Sequence, residues 1–550
     1  MRYAHPVDWV RAAEGELMAR LPEGTLMQRA AAGLAATCAS LLGRVYGSRV
    51  LVLAGSGDNG GDALYAGARL ARRGARVHAA LLAPERTHAA ALAALLAAGG
   101  RVTADLAEAE RADLVLDGIV GIGGRGPLRE AALPWVAASE RGAATVVAVD
   151  LPSGVDPDTG AVPGRAVHAD VTVTFGTHKP GLLIDPGASH AGVLHLIDIG
   201  LRGANATSAE REPGAGLEAE AGGGSGGAPG QGAAAGRPSA PEAGSTSGPR
   251  PAAAGAEREP GAGFAGSGAR RGGHVVEVLQ AGDVAALLPE PVGESDKYRR
   301  GVVGIAAGSG RYPGAAVLAV GAALRGGAGA VRYVGAAAEA VVRAHPEALV
   351  GEGGPADAGR VQAWVVGPGL AQGQDAERAV AEAVAAGTPV LVDADGLRLL
   401  AQRGSAPADA LLTPHAGEAV ALLAGAGIAA EREQVEAERL RYARAIARAY
   451  GCTVLLKGST TVVTGPEGPA RVNPTGTAQL ATAGSGDVLA GLAGALLAAG
   501  LAPLDAGSVA AYLHGLAGRL SSGGAPTSAT AITAALPEAW RLCLDLSSDI

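Results

Sequence analysis

At 550 residues the chain is too long for one ordinary domain, and two or three are expected. It is rich in Ala and Gly, poor in aromatics, and carries a formal charge of −8, which gives no basis for nucleic-acid binding. Cys38, Cys452 and Cys543 lie far apart, in no metal-ligand spacing, and point to a reducing, cytoplasmic setting.

Taken in order, the first residues lack the basic-then-apolar order of a signal peptide. Residues 1–47 read as helical, with an amphipathic stretch from Leu26 to Leu42. RVLVLAG (49–55) is a continuous apolar strand of the parallel-sheet type. GSGDNGGDALYAGARLARRG follows as loop then helix, and ARVHAALLA as the next strand. Further strands are expected at 113–116, 145–149, 171–175 and 193–197, with helices at 87–98 and 133–141. Strands alternating with helices mean a doubly wound α/β sheet, whose ligand sits at the carboxyl ends of the strands.

From 203 to 273 Gly, Ala, Pro, Ser, Glu and Arg dominate, and REPGAG at 211–216 recurs at 258–263. Such a stretch buries too little to offset its ordering entropy and reads as a disordered linker. A second α/β pattern runs from 274 to the end, with a strand and loop in GVVGIAAGS (301–309) and strands at 363–366, 389–392, 453–456 and 461–464. Helices are expected from 313, at 375–386, 431–450, 505–521 and 528–546. The apolar run from Val488 to Ala502 is too short and Ala/Gly-rich for a bilayer span. The two halves share no motif, so the chain reads as a fusion of two different doubly wound α/β domains, 1–202 and 274–550.

The chemistry-bearing residues gather after strands. In the first half, Asp58, Asn59 and Asp62 sit in a glycine-rich turn where backbone N–H groups also converge, a mix suited to phosphate or a hydrated cation. Asp117 ends a strand and leads into GIGGRGP (121–127), and Asp150 ends another in VDLPSGVDPDTG, whose Pro152 and Gly154 bring Ser153 beside it. Lys179 lies in FGTHKPG. Only three lysines occur, Lys179, Lys297 and Lys457, against an Arg-rich background, and all three fall in motif-like stretches. Lysine kept against that bias suggests a need for a compact point charge.

In the second half, VVGPGL (365–370), VDADGLRLL (392–400), TPHAGEA (413–419) and LLKGSTT (455–461) are all strand-end loops. Asp393 and Asp395 are possible partners of a metal or its water; His415 and Glu418 start a helix, and Lys457 ends a strand beside three hydroxyls. NPTGTAQLATAGSGDVLAG (473–491) reads as turn, glycine-rich loop and helix from Val488 to Ala499. A helix start favours an anion, and Asp487 there is placed to take a proton from a substrate hydroxyl while N–H groups hold a phosphoryl group.

On LMQRAA (26–31), GSGDNGGDA, Asp117 with GIGGRGP, VDLPSGVDPDTG and the FGTHKPG segment, the first half resembles the NAD(P)H-hydrate epimerases of the YjeF N-terminal type. The resemblance implies a Rossmann-like fold. It implies hydrate contacts at Asp58, Asn59, Gly60, Gly61 and Asp62, and along Gly121, Ile122, Gly123, Gly124, Arg125, Gly126 and Pro127. It also implies hydrate contact and acid–base chemistry at Asp150, and a K⁺ ion at Asn59, Asp117 and Ser153. Asp58 and Ala63 depart from the usual Asn and Gly.

The second half is similar to the ADP-dependent NAD(P)H-hydrate dehydratases of the ribokinase-like fold, whose motifs follow here in the same order. This implies hydrate contacts at Ala316, Gly369, His415 and Asp487. It implies adenine-nucleotide contacts at Lys457, Gly458, Ser459, Thr460, Thr461 and Gly486, with Mg²⁺ and ADP as cofactors. The whole chain thus resembles the fused, bifunctional form. Its partners are expected to be NAD(P)H hydrates and ADP, with no nucleic acid or membrane, in a homo-oligomer. The alternative is a C-terminal small-molecule kinase with a non-catalytic N-terminal binding module.

Overall fold

The computed structural model describes residues 1–201 and 275–548, and the linker read at 203–273 lies outside the described residues. Both α/β halves fall within one compact unit.

In the first half, strands β2 (Arg49–Ala54), β3 (Arg76–Leu81), β4 (Arg101–Val102), β5 (Leu114–Gly118), β6 (Thr145–Val149), β7 (Val171–Phe175) and β8 (Val193–Ile197) form one sheet. Its order is β4-β3-β2-β5-β6-β7-β8, and every pairing is parallel. Helices cover both faces, which is why the central strands read as unbroken apolar runs. The order reverses at β2, so the crevice opens between the loops after β2 and β5. There the Gly55 N–H donates to the Gly118 carbonyl at 3.0 Å.

The second sheet has eleven strands. Strands β10 (Val302–Ala306), β11 (Ala330–Val334), β12 (Leu349–Gly351), β13 (Ala363–Val366), β14 (Val390–Val392), β15 (Leu411–Leu412) and β16 (Thr453–Leu456) are parallel, and β17 (Val462–Thr464) and β18 (Ala470–Val472) extend it antiparallel. The order reverses at β10, beside β13. A separate apolar core lies on each face.

Three local expectations give way. Residues 2–4 are not helical: they form β1 (Arg2–Ala4), which pairs antiparallel with β9 (Val276–Val278) at the far edge of the second sheet. A three-residue edge strand has too little period to be read locally; the partner strand decides it. The helix read at 431–450 breaks at Glu438 into Arg432–Ala437 and Arg439–Tyr450. The helix read from Val488 begins at Ser485, behind Gly484 at φ 84°, so Asp487 lies in its first turn. No helix among the described residues is long and apolar enough to cross a membrane.

Candidate active sites

The first site forms at the switch point of the parallel sheet. Asp117, at the end of β5, is fully buried. Ser153 donates its hydroxyl to Asp117 Oδ1 at 2.7 Å and its N–H to Oδ2 at 2.8 Å. Burial pushes the Asp117 carboxyl up to about 6, with the Ser153 bonds pulling it back. The Val120 N–H donates to Ser153 Oγ at 2.9 Å. Asn59 joins this group from the helix Asp58–Arg72: a Cβ at Gly121 would lie 2.9 Å from its Oδ1, so a side chain there would displace Asn59. Asn59 Nδ2 is buried without a hydrogen-bond partner. Asn59, Asp117 and Ser153 are therefore brought together.

Asp150 follows β6 in the left-handed region, at φ 66°, a strained conformation for a residue with a side chain. What holds it is a set of donors to Oδ1: the Lys179 ammonium, the Thr174 hydroxyl at 3.0 Å and the Phe175 N–H at 3.1 Å. Lys179 is 1% exposed and also reaches the Phe175 carbonyl. Asp62, one turn along from Asp58, is 9% exposed with Oδ1 unpartnered. Burial, then the charges of Asp150, Asp58 and Glu14, push its carboxyl well up. Gly60 and Gly61 are buried, and a Cβ at Gly60 would lie 2.5 Å from the Gly55 carbonyl. Asp58 is exposed at the helix start. The loop Gly121, Ile122, Gly123, Gly124, Arg125, Gly126 and Pro127 lies open beside it, with Arg125 turned to Asp158 at 3.7 Å.

The second site joins loops after β13, β14, β15 and β16 to the start of the helix Ser485–Ala498. Lys457 Nζ lies 2.7 Å from Asp393 Oδ1 and 3.7 Å from Glu418 Oε2. Burial works against the lysine's charge, but Asp393 and Glu418 outweigh it and hold Lys457 above the ordinary lysine range. Burial raises Asp487 to about 6, with Asp393 and Glu418 adding to the rise and Lys457 opposing it. Gly486 faces the same pair: a Cβ there would lie 3.5 Å from Lys457 Nζ and 4.0 Å from Asp393 Oδ2. His415 caps the helix Ala416–Gly425; the Glu418 N–H donates to its Nδ1 at 3.2 Å, and its own N–H donates to Glu418 Oε2 at 2.8 Å. The bond from the Lys457 N–H to the Pro414 carbonyl, 2.8 Å, holds the two loops side by side.

The remaining expected residues lie around this cluster or make other contacts. Gly369, at φ 62°, turns against the start of the helix Pro313–Arg325, where Ala316 is fully buried beside Gly308. Asp395 is drawn away from Asp393 by the intervening Ala394, at φ 49°, and accepts the Ala371 N–H at 2.9 Å. Ser459 and Gly458 are exposed, and Gly458 packs on Arg439, which leaves no room for a Cβ. Thr461 closes its hairpin through the Asn473 N–H. The Thr460 hydroxyl donates to Asp185 Oδ2 at 2.9 Å and accepts the Asp185 N–H at 3.1 Å, so it is spent on the first half. Lys297, the third lysine, is exposed beside the Tyr298 ring.

Residues 23–181 match the family described as YjeF-related protein N-terminus, and residues 303–537 match NAD(P)H-hydrate dehydratase. The bifunctional NAD(P)H-hydrate repair enzyme Nnr of Mycobacterium tuberculosis is 43% identical, over 91% of this chain and 90% of its own length. The chain belongs to the family of bifunctional NAD(P)H-hydrate repair enzymes. The Escherichia coli member is 32% identical over 85% of this chain and 79% of its own length. An ADP/ATP-dependent NAD(P)H-hydrate dehydratase from Bacillus subtilis, co-crystallised with ATP/Mg²⁺, is 31% identical, with TM-score 0.44; the match covers 48% of this chain and 97% of that one. Family membership sets aside the kinase reading and assigns epimerase and dehydratase activity to the two halves.

Within this repair enzyme, the motif reading passed over contributions from helices without a motif. His514, fully enclosed on the helix Pro503–Ser522, sits 3.2 Å from the Ser485 hydroxyl at the start of the Asp487 helix. Glu14 and Arg11, on the helix Val7–Met18, approach the first site; a Cβ at Gly123 would lie 3.6 Å from the Arg11 guanidinium. The signal available for Glu14 was its spacing from Val7 and Val10, an apolar helix face with one acid on it.

Proposed function

We propose that residues 274–550 dehydrate the S form of NAD(P)H hydrate at the expense of ADP, and that residues 1–202 interconvert its R and S forms. The observation that carries this is Asp487: a carboxyl raised to about 6, in the first turn of a buried helix, beside the Lys457–Asp393 pair. Such a group is ionised at neutral pH yet basic enough to take the proton of the C6 hydroxyl. The oxygen then attacks the terminal phosphate of ADP. The helix N–H groups and Lys457 stabilise charge on the transferred group. Phosphate leaves with C6–O cleavage and C5 gives up a proton to solvent, so the C5–C6 ring double bond is restored, and NAD(P)H, AMP and phosphate result. Gly486 lets phosphate oxygens approach the backbone, and His415 and Gly369 border the hydrate.

For Mg²⁺, Asp393 Oδ2 is the free oxygen on the Lys457 side of the cleft, which suits a cation shared with nucleotide phosphates. When bound it would offset phosphate charge. For K⁺, Asn59 Oδ1, Asp117, Ser153 Oγ and the Val120 carbonyl are hard oxygen donors gathered at one point, which suits a hard monovalent ion. In that site Asp150 is the group that takes the hydroxyl proton during epimerisation.

The test is recovery of NADH absorbance from a mixed R/S hydrate with ADP or ATP in separate reactions. Complete recovery with ADP, faster than spontaneous epimerisation, is expected. Recovery of only the S portion would remove the epimerase from the reading, and no recovery with either nucleotide would remove the dehydratase.

A further inference from the structure

The helix Val7–Met18 presents Val7, Val10 and Glu14 on one face, since positions seven and four apart align on a helix. Val7 and Val10 are fully buried, so that face is turned inward. Glu14 shares it, and its side chain stays half-buried. Among the described residues it has no hydrogen-bond or ion-pair partner. An inward carboxyl left unpaired is costly unless its surroundings serve a purpose. Those surroundings are the first site: Arg11, three residues before Glu14 on the same helix, stands 3.6 Å from where a Cβ at Gly123 would lie, and the charges of Asp150, Lys179, Asp58 and Asp62 are felt there.

Epimerisation at C6 needs two proton-transferring groups. C6 carries both the hydroxyl and the ring nitrogen N1, so it is a hemiaminal carbon and inverts by opening and reclosing. One group takes the hydroxyl proton as the C6–N1 bond breaks and the carbonyl forms. The electron pair of that bond goes to N1, which must then receive a proton from a second group. After the carbonyl turns over, N1 adds to its other face, its proton returns to the second group, and the first proton returns to oxygen. No net proton is consumed and nothing is oxidised or reduced.

We propose that Glu14 is this second group, the proton donor to N1, with Asp150 as the acceptor; this rests on the reading of Asp150 given above. Lys179 Nζ sits directly on Asp150 Oδ1. Burial and the Asp150 charge raise Glu14 to about 7, with Lys179 and Arg11 opposing and Asp58 adding, so a large share of it carries a proton at neutral pH. Asp150 has a direct cation partner and Glu14 has none, and two carboxyls in such different surroundings can divide the acid and base roles. Asp62 is the competing donor, but its Oδ1 is sealed from solvent, whereas Glu14 keeps the water access that reprotonation requires.

The test is Glu14→Gln in the full chain, following R-to-S conversion by chromatography beside dehydration of purified S hydrate with ADP. Conversion should lose about 100-fold or more in kcat, with KM for the R hydrate moved less than about threefold. Dehydration of the S hydrate stays at the wild-type rate, which also certifies folding. Wild-type conversion should fall as pH rises through about 7, because the donor loses its proton, and this limb should vanish in Glu14→Gln. Acetate should partly restore kcat to Glu14→Ala. Retained kcat in Glu14→Gln, a loss confined to KM, or a loss seen in Asp62→Asn but not Glu14→Gln would overturn the assignment. Asp150→Asn, run in parallel, separates the two readings: if it too stays active the Asp150 reading fails, and if it alone is inactive only the Glu14 inference falls.

Discussion

Each half of the molecule buries one lysine against a strand-end aspartate, yet the two pairs are used differently. In the first half Lys179 sits directly on Asp150, the proposed base, and helps hold a backbone conformation that is strained for an aspartate. In the second half Lys457 sits on Asp393 and beside Glu418, while the proposed base, Asp487, stands next to that cluster on a separate helix. A cation bonded to the base fixes its position. A cation bonded to its neighbours lets burial set the affinity of the base for a proton and offsets only part of the rise. The same pair of residue types thus orients one carboxylate and tunes another.

The largest expected effect separates the halves outright. Asp487→Asn should lower dehydration of the S hydrate by about 10²–10⁴-fold and leave R/S conversion intact, and Asp150→Asn should do the reverse. Measuring both reactions on both variants checks it; loss of both in either variant would break the division.

Next, the two lysines should differ in stability. Lys179→Met leaves Asp150 largely buried without its counter-charge and should cost about 3–5 kcal/mol in denaturant unfolding. Lys457 is 19% exposed, and Lys457→Met should cost less, about 1–3 kcal/mol. Equal losses would show that the pairs are not distinct in burial.

The pH dependence sharpens the tuning argument. Asp487 acts ionised, so dehydration should be lost as pH falls through about 6 and level off above it. Because Lys457 lowers the Asp487 value, this limb in residual Lys457→Met activity should move to higher pH. A limb that stays in place would remove Lys457 from the tuning.

The smallest effect concerns the clasp between halves. Thr460→Val removes both hydrogen bonds to Asp185 and should cost about 1 kcal/mol in unfolding, with a modest rise in KM for ADP and kcat retained.

Much of this was readable in the chain itself. The helices Leu133–Arg141 and Thr25–Leu42 and the strands Ala363–Val366 and Thr453–Leu456 lie where apolar runs and their glycine boundaries put them. The lysine bias found two site lysines and one exposed surface lysine, because it reports that a point charge is wanted without saying where. The sequence by itself determined the strand–loop–helix units, the two-domain class and the glycine-rich loops that carry Asn59 and Asp487. Those are properties of residues within one turn or one strand of each other. Only the tertiary structure decided that β1 completes the second sheet and that Asp393 meets Lys457 while Asp395 turns away. It alone decided that Thr460 bonds Asp185 and that the helix carrying Arg11 and Glu14 lies against the loop 121–127. Most of these contacts join residues far apart in the chain, and the Asp393/Asp395 split turns on one left-handed residue; no local period or propensity encodes either.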